Sequence, residues 1–296
     1  MRVFLLLLFL VGCSPAPAPK ATQTGHLQVY ASSYPLHYFA SRIGGQQIHV
    51  SSLPAGSDPA TWMPERQSIQ AIQQADLILL NGAGFESWPA KVSLPDSRVV
   101  RTAAPLKPDF IHYEDRSVHT HGPEGEHAHE GLDGHTWLDP QNAKIQAEQI
   151  RAELARARPG HAAAFAANYA ALIADLDSLD AALGALPPKP LLASHPAYNY
   201  LARRYEWRIE NLDLDPQTMP TAESLAGIKK LLRQHPASQL LWEQQPAAEI
   251  ANLMQKQLGL SSIVFSPCET EPGNGQDYLS VMRKNIAALG GAFSRD

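Results

Sequence analysis

The segment Val118-His119-Thr120-His121-Gly122-Pro123-Glu124-Gly125-Glu126-His127-Ala128-His129-Glu130 runs on through Asp133-Gly134-His135 and gathers five of the chain's 12 histidines, with glutamates between them. Imidazole nitrogens and carboxylate oxygens both bind zinc at about 2.0 to 2.2 Å, and interspersed glycines let a loop close around an ion. Ordering such a loop costs backbone entropy, so His119, His121, His127 and His129 read as an auxiliary collector and not as a preformed site. The alternative is a solvated or pH-sensitive polar loop.

His135 differs from these four. Thr136-Trp137-Leu138 and the helix start Asp139-Pro140 follow it at once, so a packed segment fixes its backbone. Its counterpart is His195, in Ser194-His195-Pro196-Ala197-Tyr198 after the apolar run Leu191-Leu192-Ala193. That places His195 at the carboxyl end of a strand, where open α/β sheets bind ligands. Cys268 and Glu269 follow the last strand candidate and can supply a thiolate and a carboxylate. Cys268 reads equally as a small buried hydrophobe. Glu65, Glu243 and His37 are weaker candidates, and Glu243 could orient a ligand instead of binding the ion.

The elements that must position these groups alternate. His26 to Ser32, Ile48 to Leu53, Asp76 to Leu80 and Arg98 to Thr102 read as strands, with helices from Pro35 to Gly44 and Glu65 to Ala75. Asp139 as cap with Pro140 at the first position opens a helix to about Arg156. After the break at Arg158-Pro159-Gly160, a long helix runs from Ala162 to Leu186. Strand candidates then resume at Pro190 to Ser194, Arg208 to Leu212, Gln239 to Glu243 and Ser262 to Phe265. The expected fold is α/β, with two lobes, each a mostly parallel sheet flanked by helices, joined by one long backbone helix that keeps the cleft stiff. The expected divisions are 1–12, a signal; 13–25, a tether; 26–139, an N-terminal lobe with a His-rich loop at 112–135; 140–187, the helical segment; and 188–296, a C-terminal lobe.

The amino-terminal run Met1-Arg2-Val3-Phe4-Leu5-Leu6-Leu7-Leu8-Phe9-Leu10-Val11-Gly12-Cys13 is too short to span a bilayer and reads as an export signal. Its end resembles the bacterial lipobox, which implies lipid on Cys13 and anchoring by more than one acyl chain. Alternating proline in Ser14-Pro15-Ala16-Pro17-Ala18-Pro19-Lys20 favours extended polyproline geometry at about 3.1 Å per residue, so the segment to Thr24 reads as a spacer of roughly 30 Å. Apolar residues make up 44% of the chain, enough for a core. Without Arg2 the 24 basic residues become 23 against 29 acidic ones, a charge of −6 that argues against nucleic-acid binding. With Cys13 given to lipid, Cys268 has no partner for a disulfide.

Gly134-His135-Thr136-Trp137-Leu138-Asp139-Pro140-Gln141-Asn142 and Ser194-His195-Pro196-Ala197-Tyr198-Asn199-Tyr200 resemble the second and third ligand motifs of the metal-binding solute-binding lipoproteins of zinc and manganese ABC importers. Tyr34-Pro35-Leu36, Gly44-Gly45 and Tyr278-Leu279-Ser280-Val281-Met282 extend the likeness from about His26 to the C-terminus. It implies a cleft site and handover of the ion to a permease driven by an ATPase, by a lipid-anchored, extracytoplasmic monomer, periplasmic in a two-membraned cell. Two positions depart from the pattern. The family's first histidine, after Asp-Pro, is replaced by Ala60, and its aspartate before Pro by Ser266. Replacements are therefore required from Cys268, Glu269, a loop histidine such as His129, or water. Zn2+ is the expected cargo, because imidazoles dominate and Irving–Williams order places zinc above manganese; Mn2+, Cu2+ and Ni2+ compete for the same donors. Binding should weaken below about pH 6. Two other readings compete: a lipid-anchored metal buffer or metallochaperone acting through its loop, and a zinc hydrolase with Glu243 as base, although no His-Glu-x-x-His motif occurs.

Overall fold

The computed structural model describes residues 25–113, 117–120, 126–129 and 131–294. The expected signal, the expected lipid site Cys13, the tether to Thr24 and loop residue His121 lie outside the described residues. Leu27–Ala31 (β1), Ile48–Ser51 (β2), Leu77–Leu80 (β3) and Val99–Arg101 (β4) form a parallel sheet in the order β2-β1-β3-β4. Tyr34–Gly44 (α1) and Arg66–Gln74 (α2) make crossovers. Apolar runs such as Leu77-Ile78-Leu79-Leu80 are buried on both faces, as a parallel sheet covered on both sides requires.

One feature was not expected. Ser117–Thr120 (β5) and Glu126–His129 (β6), read from the sequence as loop, pair antiparallel with His119 opposite His127. Each strand is only four residues long, and Gly122, Pro123 and Gly125 stand between them, so the alternation is too short to set the segment apart from a polar loop.

Asp139 caps Pro140–Ala157 (α3), its carboxylate accepting the Gln141 N–H at 2.8 Å. After the Pro159-Gly160 break comes Ala162–Gly184 (α4), which stops two residues short of the expected Leu186. The second sheet comprises Pro190–Ala193 (β7), Arg208–Asn211 (β8), Gln239–Trp242 (β9) and Ser261–Val264 (β10), in the order β10-β9-β7-β8 and again parallel. Asn199–Tyr205 (α5), Ala222–Leu232 (α6) and Ala248–Leu258 (α7) are its crossovers, and Tyr278–Phe293 (α8) closes the chain behind a capping box at Asp277 and Ser280.

A single apolar core runs through both lobes. Leu27, Phe39 and Leu79 from the first sheet and its helix belong to the same buried cluster as Leu172 and Leu176 of α4 and Leu191, Phe265 and Leu289 of the second half. Each sheet turns its other face to a satellite cluster, around Tyr30, Ile78 and Trp88 in one lobe and Leu240, Trp242 and Met254 in the other. On α4, Asp175 pairs with Arg42 of α1 at 2.7 Å and Arg283 of α8 at 3.4 Å, so one carboxylate touches both halves. Such partly exposed pairs stabilise little; apolar burial holds the halves together. Among the described residues no helix is long and apolar enough to cross a membrane.

Candidate metal centre

The carboxyl ends of the two sheets face one another across a crevice of about 320 Å³, lined among others by Asp58, Ala60, His135, His195, Glu243 and Glu269. Asn81, just past β3, positions the first histidine. Its amide donates to the Gly134 carbonyl at 2.8 Å and accepts from Thr136 and Gln146, so the turn is pinned to the end of the sheet. Gly134 lies directly on Phe85. A Cβ there would stand 2.7 Å from the Phe85 Cβ and 2.8 Å from its Cα, a contact that backbone cannot easily yield. Gly134→Ala is therefore expected to destabilise the protein by about 1–3 kcal/mol through overpacking, read as a lower urea midpoint. An unchanged midpoint would show that Phe85 yields freely.

His135 is almost wholly buried, at 2% exposure. Its Nδ1 donates to Asp133 Oδ1 at 2.8 Å, which also accepts its backbone N–H at 2.9 Å, and its Nε2 donates to Glu269 Oε1 at 2.9 Å. Burial alone would lower the pKa of this imidazole, but the two carboxylates outweigh it and raise the value to about 10. Burial pushes the Glu269 carboxyl up, with His135 opposing the shift. His195, 5% exposed, leaves β7 through a turn in which its carbonyl accepts the Ala197 N–H at 2.9 Å. The two rings lie edge to face, centroids 5.7 Å apart at 84°.

Glu269 reaches the site from the loop after β10, held by the Tyr34 N–H, which donates to its carbonyl at 2.9 Å. Cys268 lines the same crevice, but it is buried in the shared core, at φ +59°. Burial, then the charges of Asp277 and Glu269, pushes its thiol up to about 12, so it offers a protonated sulfur and not a ready thiolate. Glu243 stands at the crevice wall. His37 and Glu65 do not line it: His37 stacks on Tyr34 with centroids 5.9 Å apart, and Glu65 is an exposed residue preceding α2. Ala60 and Ser266 both line the crevice, so the two departures from the motif fall at its wall. Among the described residues, no three His, Cys, Asp or Glu side chains are drawn together closely enough to hold a metal ion as they stand. Nε2 of His135, the ring nitrogen not committed to Asp133, is taken up by its hydrogen bond to Glu269. Asp133, which holds both the backbone and the ring of His135, is the crevice-side residue that sequence reasoning passed over. Its place two residues before His135, within reach of that residue's own N–H and ring, was the available signal.

Two parallel α/β lobes with a histidine- and carboxylate-lined crevice at their facing strand ends define a solute-binding protein of the two-lobed kind. The chain belongs to the family described as "Zinc-uptake complex component A periplasmic", whose pattern matches residues 29–292. That family supplies solute-binding components and is not one of enzymes. Over 296 residues the chain is 30% identical to the zinc-binding lipoprotein AdcA of Streptococcus pneumoniae, covering 95% of this chain and 58% of that protein. It thus spans little more than half the length of that relative. It is 28% identical to the high-affinity zinc uptake system protein ZnuA of Bacillus subtilis, covering 96% and 93%. The Zn(II)-bound ZnuA-like domain of the pneumococcal AdcA superposes with a TM-score of 0.76 at 27% identity, over 90% of this chain and 98% of that domain. The solute-binding protein FpvC of Pseudomonas aeruginosa, solved with Mn2+, shares the fold at a TM-score of 0.73 and 21% identity.

Proposed function

We propose that this protein captures Zn2+ in its interlobe crevice and delivers it to an ABC permease and its ATPase, as a monomeric, extracytoplasmic lipoprotein anchored through Cys13. The observation that carries this reading is the meeting of His135 and His195, one from each half, beside Glu269 in one crevice. With Nδ1 of His135 committed to Asp133, Nε2 is the nitrogen turned toward Glu269. A zinc ion takes the place of the proton between them, so His135 and Glu269 become ligands together and His195 adds a third donor. Water can complete a tetrahedron. The AdcA domain and the Bacillus protein are named for zinc, which supports zinc over Mn2+, Cu2+ and Ni2+.

Calorimetric titration of the chelator-stripped mature domain with these four ions tests the reading. Zinc is expected to bind tightly at one crevice site, and deletion of residues 119–129 to remove only weaker additional binding. If that deletion abolishes tight binding, the loop is the site and the crevice assignment fails.

A further inference from the structure

The distance between the two ring ligands is not left to the lobes' packing. Asp133 is fully buried, and while its Oδ1 holds His135, its Oδ2 accepts from Asn199 Nδ2 at 2.9 Å. Asn199 begins α5, four residues beyond His195. The amide's orientation is set by Asn211 of β8, whose Nδ2 donates to Asn199 Oδ1 at 3.0 Å. The next residue, Tyr200, donates its hydroxyl to the Asp133 carbonyl at 3.1 Å and accepts the Ile111 N–H at 3.3 Å. Asp133 in turn donates its N–H to the Ile111 carbonyl at 2.8 Å. The first turn of α5 therefore grips the His135 segment from the lobe that carries His195.

We propose that Asn199, acting through the Asp133 carboxylate, is a positioning residue that locks the two ring ligands in a fixed mutual geometry and so sets how tightly and how long the crevice holds its ion. This rests on the assignment of His135 and His195 as ligands. Asn199 itself touches neither ring nor ion. Charged hydrogen bonds buried away from water are the strong ones, and residues that orient a metal-binding imidazole typically alter affinity by about 10–100-fold when removed. Asn199→Ala removes the donor. Asn199→Asp keeps its shape but sets a second carboxylate against Asp133, where like charges repel.

The test compares the mature domain with its Asn199→Ala, Asn199→Asp, His135→Ala and His195→Ala variants in three measurements. Zinc dissociation into excess chelator is expected to accelerate about tenfold in Asn199→Ala and further in Asn199→Asp. The visible absorption of the Co2+-loaded protein should change shape in both Asn199 variants, which a general loss of stability would not produce. Hydrogen exchange in the metal-free protein should speed up in residues 131–138 and 195–200 and stay unchanged in α4. Unchanged exchange in those segments in Asn199→Ala overturns the lock whatever zinc does. So does unchanged zinc dissociation in that variant when the histidine variants have lost tight binding. Tight binding that survives both histidine substitutions overturns the ligand assignment instead, and the lock is then judged on exchange alone.

Discussion

Zinc affinity of the mature domain is expected to fall by on the order of a hundredfold or more in His135→Ala and in His195→Ala, because each removes one of three protein donors from an ion whose binding energy is a sum over few ligands. The two substitutions differ in their cost to the metal-free protein. Removing His135 leaves Asp133 and Glu269 without the group they share, and uncompensated buried charge costs roughly 3–5 kcal/mol. His195→Ala leaves that triad intact and is the cleaner arm. Competition against a chromophoric chelator reads both affinities, and thermal melting of the metal-free proteins separates lost ligation from lost folding. His37→Ala, outside the crevice, serves as the control. Equal affinity in the wild type and His195→Ala would remove the second lobe from the site.

The other large effect is on pH. With His135 titrating at about 10, zinc binding at neutral pH must expel a proton from Nε2, so apparent affinity should rise about tenfold per unit between pH 7 and 9 and release close to one proton per ion. An ordinary exposed imidazole would give a curve that flattens above about pH 6.5. The stability of the metal-free protein runs the opposite way. A folded-state pKa above the unfolded value of about 6.5 gives stability that is fully present below that pH and is lost as pH rises through about 10. Calorimetry in buffers of different ionisation enthalpy counts the proton, and chelator competition from pH 6 to 9 gives the slope. A flat affinity above pH 7 would contradict the His135–Glu269 arrangement.

Much of this geometry was visible in the chain. The strand and helix alternation locates both sheets, because the apolar runs of β3 and β9 are short and bounded by polar turns, and Asp139-Pro140 marks the start of α3. His135 stands out because Trp137-Leu138 and Asp139-Pro140 follow it and fix its backbone, and His195 because it follows the apolar run Leu191-Leu192-Ala193 at a strand's carboxyl end. Less legible was the choice among replacements for the donors missing at Ala60 and Ser266. Cys268 and Glu269 are adjacent in sequence, and only the chain's path decides that one side chain turns into the core while the other reaches His135. Asp133 is only half legible for a related reason: its place two residues before His135 is local, but its bond to Asn199 spans 66 residues, and long-range pairing of small polar groups leaves no periodic trace.

The apolar cluster that passes from Phe39 through Leu176 to Leu289 bears on how such a molecule comes to exist at all. Neither half can bury its own share of that surface in the absence of the other, so a chain cut in the turn between α3 and α4 would yield two sticky fragments and not two independent domains. Heat should likewise melt the whole as one cooperative unit. An ion bound between the halves would then stabilise every part of the protein at once, so occupancy of the crevice would be read as a rise in the single melting temperature.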